Sequence, residues 1–194
     1  SNGVDDSYFN YKNNKNKEFD IIFSGGMSYA PNSVAAIFLA TEIMPLVWDK
    51  LPDAKLVIAG ANPTSSVQSL SSENIKVTGW VEDMKEYYAK SKIFVAPMQI
   101  GTGLQNKLLE AMAMNLPCIS SPLANEALGA THNENILIAS SPKEYADSII
   151  NLLKNPSLAD QIAQRGNNFV RENYRWETYG SQLESILKQV VGKE

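Results

Sequence analysis

Short apolar runs alternate with longer segments of helical periodicity from residue 20 onwards. Runs at 20–23, 55–59, 75–79, 93–97, 118–121 and 135–139 are rich in apolar and β-branched residues, so they predict strands. Between most of them, apolar residues recur every three or four positions, as on the buried face of an amphipathic helix. Such alternation is typical of an α/β domain whose parallel strands are joined by helices.

Beyond residue 140 the pattern contains only helices. Segments 142–155, 156–172 and 176–191 each begin near a proline or a turn. Earlier in the chain, Pro31 marks the start of the first helix, and Pro45 is expected to kink it. We therefore predict a Rossmann-like, doubly wound parallel sheet of about six strands with extra C-terminal helices. Such sheets bind ligands beyond the carboxyl ends of their strands.

The amino end has a different composition. The run YKNNKNKE has no periodicity, and we predict that residues 1–17 form a disordered tag or linker. Residues 18–194 are then one domain.

Composition narrows the possible partners. The 21 acidic and 17 basic residues are spread along the chain without a basic stripe, so nucleic acid is not an expected partner. The chain contains no run of about 18 apolar residues, so we predict no membrane span. The single cysteine, Cys118, cannot form an internal disulfide, which favours a cytoplasmic setting. The sequence has no Asp-x-Asp motif and no cluster of cysteines or carboxylates around His132, so it predicts no metal site. No cofactor is expected.

The segment GTGLQNKLLEAMA at 101–113 is the strongest candidate for chemistry. Its glycines allow close approach to a ligand, and the following helix N-terminus can bind phosphate. Spacings of four and three place Gly103, Lys107 and Glu110 on one helix face. A diphosphate could then contact Lys107 while Glu110 accepts hydrogen bonds from ribose hydroxyls. An exposed ion pair between Lys107 and Glu110 explains the spacing equally well.

These motifs resemble the C-terminal, donor-binding domain of family 4 retaining glycosyltransferases, which have the GT-B fold. The resemblance extends over residues 19–191. It rests on SGGMSYAPNSVAA, KLVIAG, VTGWVEDMKEYYAKSKIFVAP, GTGLQNKLLEAMAMNLPCISS, SPKEYADSIINLL and RENYRWE. The variants GxMxYxPN and QNKLLEAMA are similar to bacterial exopolysaccharide sugar transferases.

The resemblance implies transfer of a hexose from a UDP- or GDP-sugar to a saccharide or lipid-linked acceptor, with retention at the anomeric carbon. It also implies an acceptor-binding N-terminal domain outside this chain, peripheral membrane association of the whole enzyme, and an isolated domain that binds donor without turnover. Glu110 corresponds to the ribose-binding glutamate of the family's Glu-x7-Glu motif. Lys107 would stabilise the leaving diphosphate, and no protein nucleophile is expected.

Two departures weaken the family pattern. Thr102 stands where the first glutamate is expected, and segment 24–32 lacks the family's usual arginine and lysine. The resemblance therefore assigns the diphosphate to Gly25, Gly26, Gly101, Thr102, Gly103, Leu104 and Lys107. The glycines at 25 and 26 could instead form only a tight turn. Trp80 and Val81 correspond to the nucleobase region, although a hydrophobic loop plug is an equal alternative.

Two other classes of protein stay open. A nonenzymatic, flavodoxin-like regulatory or interaction module is favoured by the missing basic residues of the first loop. A GT-B nucleotide-sugar 2-epimerase or phosphorylase would share the fold, but the helix pattern around Glu110 is unfavourable to both.

Overall fold

The computed structural model describes residues 3–11, 16–101 and 103–174 and contains one six-stranded parallel sheet. The strands are β1 Phe19–Ser24, β2 Leu56–Ala59, β3 Ile75–Val77, β4 Ser91–Ala96, β5 Cys118–Ser120 and β6 Leu137–Ile138. All six predicted strands are present, and most are shorter than their apolar runs. This confirms the predicted Rossmann-like α/β fold.

The strand order is β3-β2-β1-β4-β5-β6, with β1 and β4 adjacent at the centre. Ile21 pairs with Leu56 on one side and with Ile93 on the other. Because the chain runs outward in opposite directions from β1 and β4, the loops that follow these strands diverge and leave a crevice. The topology thus places a ligand-binding position at the carboxyl edge of the sheet centre.

Helices cover both faces of the sheet. They are α1 Asp6–Phe9, α2 Ala30–Phe38, α3 Met44–Trp48, α4 Ser65–Gln68, α5 Met84–Ala89, α6 Asn106–Ala113, α7 Pro122–Glu126, α8 Pro142–Lys154 and α9 Pro156–Asn173. The sequence pattern did not predict α4 and α7, because helices of four and five residues are too short to show periodicity. The side chains of Thr64 and Ser121 cap them.

A π-helical segment, Leu39–Ile43, joins α2 to α3 immediately before Pro45. Proline has no N–H to donate, and the wider turn accommodates it in a continuous helix. The helix spanning Ala30–Trp48 has a mean hydropathy of 1.4, enough by length and composition to cross a membrane. Half of it is buried inside the domain, where Leu39 and Ile43 belong to the core. Core packing accounts for its apolar character.

The described part of the amino end differs from the expected disordered linker. Residues 3–11 contain α1 and lie on the domain, because Val4 is 3% exposed and joins the main core. The amide of Val4 donates to the carbonyl of Tyr174, at 2.9 Å. Apolar side chains within this polar segment anchor it.

The predicted last helix, 176–191, lies outside the described residues.

Candidate functional site

A cleft of about 700 Å³ opens at the carboxyl edge of the sheet. The loops after β1 and β2, the segment from Trp80 to Lys85, and helices α5 and α6 form its walls, together with Tyr8 from the amino end. Four strands therefore contribute to a single site through the loops that follow them. This is the position that the strand order favours for a ligand.

The loops after β1 and β2 touch backbone to backbone. Gly25 and Gly60 have φ angles of +153° and +144°, and a Cβ atom on Gly60 would lie 1.9 Å from the Gly25 carbonyl oxygen. Only glycine at position 60 permits this approach. Gly26 is exposed, and a Cβ atom there would meet nothing within 4 Å. The β1 loop is therefore fixed on one side and open towards the cleft on the other.

Lys107 lies in the first turn of α6 and extends towards the β1 loop. Its Nζ donates to Asn32 Oδ1 and to Gln105 Oε1, the latter at 3.3 Å, and lies 5.4 Å from the centre of the Phe23 ring. Asn32 is 6% exposed, and its Nδ2 donates to the Gly26 carbonyl at 3.0 Å. Asn32 thus connects the lysine to the glycine loop.

Burial lowers the pKa of Lys107 to about 8, while the negative charge of Glu110 acts to raise it. Within the described ranges, no carboxylate lies within 4 Å of the Lys107 ammonium, whose hydrogen-bond acceptors are the neutral side chains of Asn32, Gln105 and Met98. The positive charge is therefore only partly compensated. An anion with several oxygens would complete this environment.

Glu110 lies one turn further along α6. The hydroxyl of Tyr88 donates to Glu110 Oε2 at 3.0 Å, and Ser24 Oγ lies 2.8 Å from the same hydroxyl. Burial raises the pKa of Glu110, while the Tyr88 hydrogen bond and the charge of Lys107 lower it. Glu110 is a partly buried carboxylate held in a defined orientation, suitable for accepting hydrogen bonds from hydroxyl groups.

Aromatic side chains line the far end of the cleft. Trp80 is 74% exposed, and Tyr8 lies 6.5 Å from the Tyr88 ring, measured between centroids. Lys85 Nζ lies 5.3 Å from the centre of the Tyr8 ring. Burial, aided by the charge of Glu110, raises the pKa of Tyr8 to about 12, so this phenol remains neutral. The far end offers ring faces to a ligand.

The cleft brings together most of the predicted site residues, and their roles in binding stay predictions. Those that line it are Gly25, Gly26, Trp80, Val81, Leu104, Lys107 and Glu110. Gly101 instead lies against Pro31, and Gly103 lines a separate hollow of about 300 Å³ with Glu126. Thr102 lies outside the described residues.

The predicted helix start was wrong. Gly103 has a φ of +85° and Gln105 has an extended backbone, so α6 begins only at Asn106. Gly103 and Leu104 therefore precede the helix, and Gly103 does not share a helix face with Lys107. The amides of the first turn, which begins at Asn106, rather than those of Gly103 and Leu104, point out of the helix end.

Sequence reasoning missed Ser24, Asn32, Tyr88 and Tyr8. Asn32 precedes Ala35, Ala36 and Leu39 on the buried face of the first helix. A polar residue on an otherwise apolar face is a signal that the pattern contained. The hydroxyls of Ser24 and Tyr88 left no such signal, because both residues suit a core position.

The chain is similar to known proteins in sequence and in fold. Residues 18–155 match the family described as glycosyl transferases group 1. An uncharacterised 44.6 kDa protein from the cps region of Klebsiella pneumoniae is 29% identical over 164 residues, covering 80% of this chain and 42% of that protein. A GDP-mannose-dependent monoacylated α-(1-6)-phosphatidylinositol monomannoside mannosyltransferase of Corynebacterium glutamicum is 28% identical, over 76% and 42% of the two chains.

Solved structures share the fold. A glycosyltransferase from Rickettsia africae superposes with a TM-score of 0.81 at 17% identity, covering this whole chain and 57% of that one. The HepE protein of Anabaena, solved with UDP and glucose, has a TM-score of 0.72 at 12% identity, over 88% and 48%. The chain spans 42% of the length of these two curated relatives, so it corresponds to about half of a GT-B structure. It belongs to the glycosyl transferases group 1 family.

Proposed function

We propose that the cleft binds the nucleoside diphosphate of a UDP- or GDP-hexose. In this arrangement the diphosphate contacts Lys107 and the Gly25–Gly26 loop, the ribose hydroxyls contact Glu110, and the nucleobase lies beside Trp80 and Val81. One observation carries the proposal: a partly buried ammonium and a partly buried carboxylate, one turn apart on α6, face one cleft at the centre of the sheet edge. The names of the Corynebacterium and Anabaena proteins support a nucleotide sugar as the ligand.

The whole protein would transfer the hexose to a saccharide or lipid-linked acceptor, with retention. Negative charge accumulates on the diphosphate as the bond to the sugar breaks. Lys107 would stabilise this charge, because its ammonium is already held near the β1 loop by Asn32. We place the acceptor site in a second domain of the same protein, in the cytoplasm and at the membrane surface.

Titration of the folded chain with UDP, GDP and ADP tests the donor site directly. We expect saturable binding of at least one of the first two, tighter than that of ADP. Absence of binding by all three, in a chain with a cooperative unfolding transition, would instead favour a nonenzymatic interaction module.

We also propose that this binding needs no divalent cation, since Lys107 supplies positive charge at the diphosphate. No group of three potential metal-ligating side chains was found among the residues that the structure describes. EDTA should therefore leave the Kd of the bound nucleotide unchanged. A loss of affinity that added Mg²⁺ restores would contradict this assignment.

A further inference from the structure

A chain of three side chains leads from the end of β1 to the carboxylate of Glu110. Ser24 is the last residue of β1, and its Oγ lies 2.8 Å from the Tyr88 hydroxyl, which lies 3.0 Å from Glu110 Oε2. A carboxylate can only accept, and a phenol has one proton. The direction is therefore set: Ser24 donates to Tyr88, and Tyr88 donates to Glu110.

The position of the Tyr88 hydroxyl is fixed by its surroundings. Tyr88 is fully buried, and its ring packs against Phe94 at 5.9 Å and Tyr8 at 6.5 Å between centroids. A locked ring presents its hydroxyl at one point, so Glu110 Oε2 is held there. Glu110 lines the cleft, and among the described residues no hydrogen bond from a side chain to its Oε1 is present.

We infer that Tyr88 is a positioning residue through which Glu110 distinguishes ribose from 2′-deoxyribose in the donor nucleotide. The inference rests on the proposed function. Two vicinal hydroxyls can both donate to a carboxylate whose plane is fixed, whereas a 2′-deoxy sugar leaves one acceptor position unfilled. Without the Tyr88 hydroxyl, Glu110 can rotate and is protonated more readily, so the distinction weakens.

Paired titrations test this inference. UDP or GDP, whichever binds the unaltered chain more tightly, is compared with its 2′-deoxy form in four proteins: unaltered, Glu110→Gln, Tyr88→Phe and Tyr87→Phe. We expect the unaltered chain to prefer the ribonucleotide about tenfold or more. Tyr88→Phe should lower this ratio to a value between that of the unaltered chain and that of Glu110→Gln, with little change for the deoxynucleotide. Tyr87→Phe removes a hydroxyl from the neighbouring tyrosine and should leave the ratio unchanged.

The pH dependence separates positioning from a general loss of structure. The Tyr88 hydrogen bond lowers the pKa of Glu110, so its removal raises that pKa. As the pH is lowered, protonation of Glu110 removes its preference for the ribonucleotide. The preference should therefore be lost at a higher pH in Tyr88→Phe than in the unaltered chain. If Tyr88→Phe fails to fold, Ser24→Ala replaces it. This variant keeps the donor to Glu110 and should lower the preference only two- to threefold.

The possible outcomes distinguish the inference from the proposed function. A full ribonucleotide preference retained in folded Tyr88→Phe would overturn the role of Tyr88 and leave nucleotide binding intact. If the unaltered chain binds both nucleotides with equal affinity, Glu110 does not recognise the ribose 2′-hydroxyl, and the inference is overturned. If the folded chain binds neither nucleotide, the proposed function itself is wrong, and the inference is overturned with it.

Discussion

The two ends of the cleft are built differently. In the part that we propose for the diphosphate, called here the diphosphate end, the ammonium of Lys107 donates to the neutral side chains of Asn32, Gln105 and Met98. In the part that we propose for the nucleoside, called here the nucleoside end, the rings of Tyr8, Trp80 and Tyr88 come from three separate segments, and Tyr88 donates to the Glu110 carboxylate. The first end suits a compact, highly charged group, and the second suits a flat ring and hydroxyl groups. Under the proposed function, we expect charge to give affinity at one end and shape to give selectivity at the other.

The backbone contact between Gly25 and Gly60 fixes the loop after β1 at the diphosphate end. Disrupting this contact should have the largest effect on stability and on nucleotide binding. In Gly60→Ala, the added Cβ would overlap the Gly25 carbonyl oxygen and force both loops apart. We expect a loss of about 3 kcal/mol or more in the free energy of unfolding, with loss of nucleotide binding. Urea unfolding measures the first effect and calorimetry the second.

Gly26→Ala is the matched control, because its Cβ meets nothing within 4 Å of the unliganded protein. Its stability should stay within about 0.5 kcal/mol of the unaltered chain. Nucleotide affinity should nevertheless fall if the diphosphate approaches this loop. Unchanged affinity would place the diphosphate elsewhere in the cleft.

Lys107→Ala removes the cation itself. Charge-assisted hydrogen bonds contribute roughly 1.5–3 kcal/mol, so the Kd for a nucleoside diphosphate should rise about 10- to 100-fold. Binding of the free nucleoside should change little, since it has no phosphate. Lys143→Ala serves as the control, because this lysine is exposed on α8 and pairs with Asp147. Equal losses for nucleoside and nucleotide would indicate that Lys107 supports the cleft rather than the diphosphate.

The diphosphate end should also be sensitive to pH. The pKa of Lys107 is lowered to about 8, so its positive charge is lost as the pH rises through that value. Affinity should fall by about 10- to 30-fold between pH 7 and 9.5, and nucleotide binding near pH 8.5 should be accompanied by uptake of a proton by the Lys107 amine. Calorimetry in buffers of different ionisation enthalpy measures this uptake. Lys107→Arg retains its charge and should flatten the profile; a steep profile in that variant would assign the titration to another group.

At the nucleoside end, a single exposed ring should have the smallest effect. Trp80 is 74% exposed, so Trp80→Ala should fold normally and weaken nucleotide binding about two- to fivefold through lost stacking. Inorganic pyrophosphate should bind equally well to both proteins. Ile100→Ala removes another exposed apolar side chain, outside the cleft, and should change neither ligand. Weaker pyrophosphate binding by Trp80→Ala would contradict the division of the cleft.

The two ends also differ in how far the sequence predicted them. The strands, the glycine loop and the spacing of Lys107 and Glu110 are local patterns, and periodicity or loop chemistry was enough to find them. The start of α6 was misplaced, since the backbone angles of Gly103 and Gln105 are not encoded in the apolar spacing. Tyr8 and Tyr88 are 80 residues apart in number and meet only in the folded chain. No local sequence pattern predicts such a contact.

The hydrogen bond between Val4 and Tyr174 brings the first and last parts of the described chain to one corner of the domain. Tyr8 follows a few residues later and lines the cleft. A chain that begins at Phe19, the start of the sheet, would keep all six strands but would lose the Tyr8 side chain from the cleft. A nucleotide affinity measured on a protein trimmed in this way would therefore not represent the longer chain.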